Sequence, residues 1–220
     1  MFRAPVDNDA WAPVIGEKHA DRWARLDLRG AAATVPLTTD AVACELADGG
    51  EALRIAHEVV LPEALDDPAR VGVRLRLGPG IDRVEWLGAG LHEGYSDRCA
   101  STAVGRWTTT VDDWPVPYVF PQASGNRTGV RWLRFLADDG TVVLAIDELD
   151  DLQVTVSRWT DEEVADAAHL EDLPTRAERD DCYVWIDAAH RGVGTGAVGP
   201  DLPPEHRLHP GPYRWTYRLR

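Results

Sequence analysis

Tyr213-Arg-Trp-Thr-Tyr-Arg-Leu219 alternates bulky apolar and polar side chains residue by residue, the period of two that a strand buried on one face requires. Val71-Gly-Val-Arg-Leu-Arg-Leu77 and Leu152-Gln-Val-Thr-Val-Ser-Arg-Trp159 carry the same period, and each window is an antiparallel signal. Between Val130-Arg-Trp-Leu-Arg-Phe-Leu136 and Thr141-Val-Val-Leu-Ala-Ile146 stands Ala137-Asp-Asp-Gly140, whose Asp139-Gly140 pair suits the positive φ angles of a tight hairpin turn. Residues 51–61 and 183–187 also read as strands. Helical signal is concentrated in Thr160-Asp-Glu-Glu-Val-Ala-Asp166, where Thr160 can cap the first turn and Glu163 can reach back to it. Sustained 3.6-residue periodicity is otherwise absent, which argues against alternating βαβ architectures. The expected fold is an all-β, two-sheet antiparallel sandwich in one domain spanning residues 1–220.

Length and composition agree with that reading. The chain has 220 residues, 44% of them apolar and nine of them Trp, enough to build a sizeable core. A net charge of −14 repels phosphate backbones and anionic headgroups, so nucleic acid and membrane surfaces are poor partners. Cys44, Cys99 and Cys182 lie far apart without CxxC or finger spacing, and the amino-terminal residues lack the apolar run of a signal peptide. A reducing, cytoplasmic setting is expected.

Few constellations point to chemistry run by this chain alone. The acid pairs Asp7/Asp9, Glu93/Asp97, Asp112/Asp113 and Glu162/Glu163 are spaced like solvated faces, caps or ion pairs as well as like reactive carboxylates. His206-x-x-His209 sits in a Pro-rich loop without a third ligand, so no metal site is assigned. Gly192-Val-Gly-Thr-Gly-Ala-Val-Gly199 lacks the closing Lys of a phosphate loop and fits a long turn better. Trp107, Trp114, Tyr118 and Phe120 cluster in one Pro-bearing stretch, where sugar stacking competes with ordinary core packing.

Four segments, in order, resemble the C-terminal domain of the large bacterial β-galactosidases, also called the β-galactosidase small chain. Phe2-Arg-Ala-Pro-Val-Asp-Asn-Asp9 is similar to the family's R-x-P-x-D-N-D opening. Arg83-Val-Glu-Trp-Leu-Gly-Ala-Gly90 with Glu93-Gly-Tyr-Ser-Asp-Arg98 resembles W-L-G-x-G-P-x-E-x-Y-x-D-R, and Pro117-Tyr-Val-Phe-Pro-Gln122 with Gly125-Asn-Arg127 resembles P-Y-V-x-P-Q-E-N-G-x-R. Gly192-Val-Gly194 with Gly199-Pro-Asp201 resembles the late glycine loop. Departures are Leu91 for a proline, Ala123-Ser124 for Glu-Asn, and Trp11 where some members have glycine.

The resemblance implies an antiparallel β supersandwich related to galactose mutarotases. It implies that the acid/base and nucleophile glutamates lie in a separate α/β barrel, so that this chain is catalytically silent by itself and supports hydrolysis of terminal β-D-galactosyl bonds by a barrel-bearing large chain or segment. Asp7 and Asn8, together with Val198 and Gly199 of the late loop, are then expected to border the galactoside pocket, with Val198 where some members place an aromatic ring. No cofactor is assigned to this chain; Mg and Na, where used, belong to the partner barrel. Family domains carry further strands ahead of the opening motif, so the sequence reads as an N-terminally truncated sandwich with unpaired edges. Two alternatives stand beside this reading. One is a stand-alone carbohydrate-binding or mutarotase-like module, for which His92 and Glu93 are too close in sequence to face each other across a sugar. The other is a non-functional gene fragment.

Overall fold

The structure is a computed structural model and describes residues 1–10, 19–25, 27–29, 42–65, 67–194 and 201–220. Its strands are β1 (Val42–Ala47), β2 (Ala52–Leu61), β3 (Arg70–Leu77), β4 (Arg83–Gly90), β5 (Ala103–Thr110), β6 (Arg127–Val130), β7 (Trp132–Leu136), β8 (Val142–Asp147), β9 (Leu152–Ser157), β10 (Cys182–His190) and β11 (Gly211–Leu219). Seven form a sheet in the order β1-β2-β11-β8-β7-β4-β5, and four form a second in the order β3-β10-β9-β6. Every pairing of named strands is antiparallel. The all-β, two-layer antiparallel architecture expected from the period-two windows is therefore the one observed.

The alternation explains the layering. From the seven-stranded sheet Ile55, Val84, Trp86, Leu133, Phe135, Ile146, Trp215 and Tyr217 point inward, and from the four-stranded sheet Val71, Val130, Val154, Val156, Val184 and Ile186 meet them in one buried cluster. The chain changes layer at Arg131, between β6 and β7, where its backbone N–H donates to the carbonyl of Leu87 at 2.8 Å.

The hairpin after β7 differs in detail from its sequence signal. Gly140 alone among the loop residues takes a positive φ, +84°, and Ala137 and Thr141 close a three-residue loop. The geometry is that of a type I turn followed by a left-handed residue, with the Asp139 carboxylate accepting the N–H of Thr141 at 2.9 Å. The described elements also include short α-helices α1 (Asp7–Ala10), α2 (His19–Arg25) and α3 (Asp161–Asp166), together with single 3-10 turns such as Leu170–Asp172 and Pro204–His206. At α3 the expected capping box is formed, the Thr160 hydroxyl accepting from the Glu163 N–H and the Glu163 carboxylate from that of Thr160.

The two layers treat their outer faces differently. Along β11 exposed Pro212, Arg214 and Thr216 alternate with partly or fully buried neighbours. In β10 every residue from Cys182 to Asp187 is buried. The second face of that strand is covered by α3 with its following turn and by the Pro-rich loop around residues 112–124.

Candidate functional site

All four motif segments converge at one end of the sandwich. The opening motif folds as a short extended arm entering α1. Arg3, fully buried, donates to the Asp9 carboxylate at 2.9 Å and to the carbonyls of Arg191 and Gly192 at 2.9 and 3.2 Å. Asp9 also accepts the N–H of Val6 at 3.0 Å, so the first and last charged residues of the motif lock α1 onto the late loop. Arg191 continues the network. Its guanidinium pairs with Asp67 at 2.9 Å and Asp201 at 2.6 Å, and Asp201 accepts in turn from Arg207 at 3.0 Å. Charges buried this deeply persist because each finds a partner.

The middle motif supplies the anchor for the glycine loop. Asp97 accepts the N–H groups of Val193 and Gly194 at 3.1 and 2.8 Å. A Cβ on Gly192 would lie 2.6 Å from the Asp97 carboxyl carbon, and one on Gly194, whose φ is +103°, would lie 2.2 Å from the Asn8 side-chain nitrogen. The glycines are therefore required by close approach. Glu93, four residues before Asp97, pairs with Arg98 and accepts from the Tyr118 hydroxyl at 2.7 Å and the Gly125 N–H at 2.8 Å. This one carboxylate ties the middle motif to the Pro-Tyr-Val-Phe-Pro-Gln segment.

What these ties frame is a groove of about 310 Å³, bordered by Asp7, Asn8, Arg98, Tyr118, Gln122 and Gly194 among others. Asp7 and Gln122 face each other across its rim: the Asp7 N–H donates to the Gln122 side-chain oxygen at 3.0 Å, and the Gln122 amide donates to the Asp7 carboxylate at 3.2 Å. The Asn8 amide donates to the Val193 carbonyl at 2.9 Å. Of the four expected site residues, Asp7 and Asn8 are thus brought together, while Val198 and Gly199, like Trp11, lie outside the described residues. Tyr118 belongs to the aromatic cluster noted in the sequence, whereas Tyr95, Arg98 and Gln122 were not singled out individually, although each sits inside a motif whose residues converge here.

Asp7 is the one carboxylate among the groove's described lining residues. The other acid pairs serve the frame. Asp112 holds Arg158 at 2.5 Å, Asp113 accepts from Thr110 at 2.7 Å, Glu162 pairs with Arg74 at 2.6 Å, and Glu163 caps α3 and pairs with Arg179. Arg74 draws Glu162 below the usual carboxylate range against the opposing effect of burial, and the Arg179 hydrogen bond does the same for Glu163. His209 donates from Nε2 to the Pro204 carbonyl at 3.1 Å, an ordinary loop contact. Among the described residues no three His, Cys, Asp or Glu side chains gather as a metal site. The arrangement can hold polar groups of a ligand between Asp7, Gln122 and Arg98, and its described lining residues do not present the two opposed carboxyl groups, about 5–10 Å apart, that glycoside hydrolysis uses.

Comparison with known proteins places this framework. The sequence of residues 1–219 matches the family described as Beta galactosidase small chain. Among curated proteins it is 35% identical over 156 residues to a Beta-galactosidase of Arthrobacter sp. (strain B7), covering 69% of this chain and 15% of that protein. A Beta-galactosidase of Aeromonas hydrophila subsp. hydrophila is 32% identical over 79% of the chain and 16% of its own length, and one of Enterobacter cloacae is 30% identical over 73% and 15%. The chain therefore spans only a small part of the curated relatives it matches. The late glycine loop, the arm that Arg3 and Asp9 lock to it, and the Glu93 and Asp97 anchors are the framework shared out among the motif segments of one family, and the chain belongs to the β-galactosidase small chain family.

Proposed function

We propose that this chain is the C-terminal, small-chain domain of a β-galactosidase and forms one wall of the galactoside cleft, while a barrel-bearing chain or segment supplies the reactive glutamates. The observation that carries the reading is the groove itself. Four family motifs meet there, its described lining includes a single carboxylate, and the acids around it are already committed to backbone amides and guanidinium groups. A rigid, preformed wall of this kind orients substrate without taking part in bond breaking. In the assembled enzyme the reaction is retaining hydrolysis of terminal β-D-galactosyl bonds by double displacement on the partner's carboxylates. Asp7 and Gln122 then present hydrogen-bonding groups toward the sugar or its leaving group. The working compartment is the cytoplasm, which suits the three free cysteines; among the described residues no helix is long and apolar enough to cross a membrane.

The test is reconstitution. Purified chain mixed with the barrel-bearing chain should bind it and raise nitrophenyl-galactoside hydrolysis, and the 220-residue chain alone should show no turnover. Absence of both binding and activation would overturn the proposal. So would turnover by the isolated chain that disappears on Asp7→Asn substitution.

A further inference from the structure

A second cavity, of about 150 Å³, lies on the outer face of the four-stranded sheet. Its floor is Thr155 and Ser157 of β9 and Trp185 of β10, with Trp185 paired across to Thr155. One wall is the Pro-rich loop, with Pro115, Pro117 and Pro121, and the other is Trp159, Val164 of α3, and Leu173. Both walls are fixed before anything binds. The Ser124 hydroxyl, at 3.2 Å from the Val116 N–H, braces the loop, the Trp159 indole donates to the Pro174 carbonyl at 2.8 Å, and Asp161 ties α3 to Arg70 at 2.9 Å.

Size and chemistry restrict the occupant. Apolar cavities near 150 Å³ take up a single six-membered aromatic ring. The charged groups at the edge are spent: Arg70 is shared between Asp161 and Asp187, and Asp112 holds Arg158. No ionic hook is left, so the occupant is neutral. The polar atoms are nearly all committed as well, since Ser124 serves Val116, Thr155 contacts Asn126 and Arg70, and Gln122 serves Asp7. The exceptions among the described lining residues are the hydroxyl hydrogens of Tyr95 and Ser157 and the ring of His190, which is 4% exposed. Its Nδ1 lies 2.8 Å from the Arg191 carbonyl, which can only accept, and 3.4 Å from Arg3 Nη1; the shorter contact puts the hydrogen on Nδ1 and leaves Nε2 an acceptor that no donor among the described residues reaches. Burial, with Arg70 and Arg3 nearby, pushes the imidazole well below its ordinary pKa, so that nitrogen stays unprotonated at neutral pH. A sugar would bring four or five hydroxyls into a space with one free acceptor and the hydroxyl hydrogens of Tyr95 and Ser157, and its unpaired groups would oppose entry.

We infer that this cavity is a binding site for a small neutral ring alcohol of the phenol type, its ring held against Trp185, Trp159 and Val164 and its hydroxyl donating to Nε2 of His190. The cavity adjoins the galactoside groove, the two sharing Tyr95, Tyr118, Gln122 and Ala123 as a common wall, and phenol uptake by the isolated chain is read independently of the function proposed above.

Isothermal titration of the 220-residue chain with phenol, toluene and galactose tests it. Phenol should bind saturably with a Kd of about 1 mM or tighter, and roughly tenfold tighter than toluene. Val164→Trp, which fills the cavity from a partly exposed helix position, should abolish phenol uptake with the circular dichroism spectrum unchanged. His190→Leu should bring phenol and toluene to equal affinity. Should His190→Leu fail to fold, the Val164→Trp result and the phenol-to-toluene ratio of the unsubstituted chain decide. No saturable phenol binding, equal affinities in the unsubstituted chain, undiminished binding by a folded Val164→Trp variant, or uptake of galactose in preference to phenol would each overturn the inference.

Discussion

β10 and β11 are both nine residues long and both lie in the interior of their sheets, yet their side chains meet different surroundings. In β11 one face packs on the core through Trp215 and Tyr217 and the other meets water through Arg214 and Thr216, so hydropathy alternates along the sequence. In β10 the inner residues Cys182, Val184 and Ile186 enter the core, while the outer Tyr183, Trp185 and Asp187 lie beneath covering segments. Alternation fades where both faces are covered, and it is on the covered face that charge networks and the ring-sized cavity are found. An open face can carry the fold with little else; a covered face must satisfy every polar group it hides.

Four measurements would break or sharpen that contrast. The largest effect is expected at the covered end of the molecule. Asp9→Ala leaves Arg3 buried with its carboxylate partner gone, and urea unfolding should show a loss of about 3–5 kcal/mol; a loss near zero would remove the basis for calling that network structural. Next is the pH response of His190, which faces Arg3, Arg70 and Tyr95 and is held neutral in the folded chain. Its folded pKa lies below the ordinary 6.5, so its contribution is present above pH 6.5 and is lost as the pH falls and the unfolded chain takes up the proton. Relative to His190→Leu, the unsubstituted chain should therefore lose stability on going from pH 7 to 5.5, with a limiting slope of about 1.4 kcal/mol per pH unit. Parallel thermal midpoints in the two proteins would refute it.

Smaller again is Thr160→Ala, which removes the cap of α3 and should cost about 1 kcal/mol in the same urea assay. The cap is local, so the unfolding slope should not change. Smallest is Arg214→Ala on the open face. Its pair with Glu58 is solvent-exposed on both sides, and the thermal midpoint should be unchanged within error. A large shift there would erase the distinction between the two faces.

The strands of the open sheet were legible because a half-buried strand writes its orientation into alternate residues, as in Tyr213–Leu219. The capping box at Thr160 and Glu163 was legible for a similar reason, since both partners lie within four residues. The candidate site was legible only as separate motifs. Glu93, Tyr118 and Gly125 are brought together by the tertiary fold, as are Asp97 and Gly194 from positions nearly a hundred residues apart, and no local pattern encodes those meetings. The hairpin after β7 was legible but its turn geometry was not, because Asp139 keeps a negative φ, Gly140 alone takes a positive one, and the Asp139 carboxylate accepts the Thr141 N–H. His190 gave no signal, since a histidine at a strand end looks the same whether its ring meets water or a cavity.

The passage of the chain from one layer to the other at Arg131 has a mechanical corollary. β6 and β7 are a continuous backbone run with one residue between them, so neither layer can be peeled away without dragging on its neighbour. The sandwich should melt as one unit, with amides on either side of that joint opening at a common free energy.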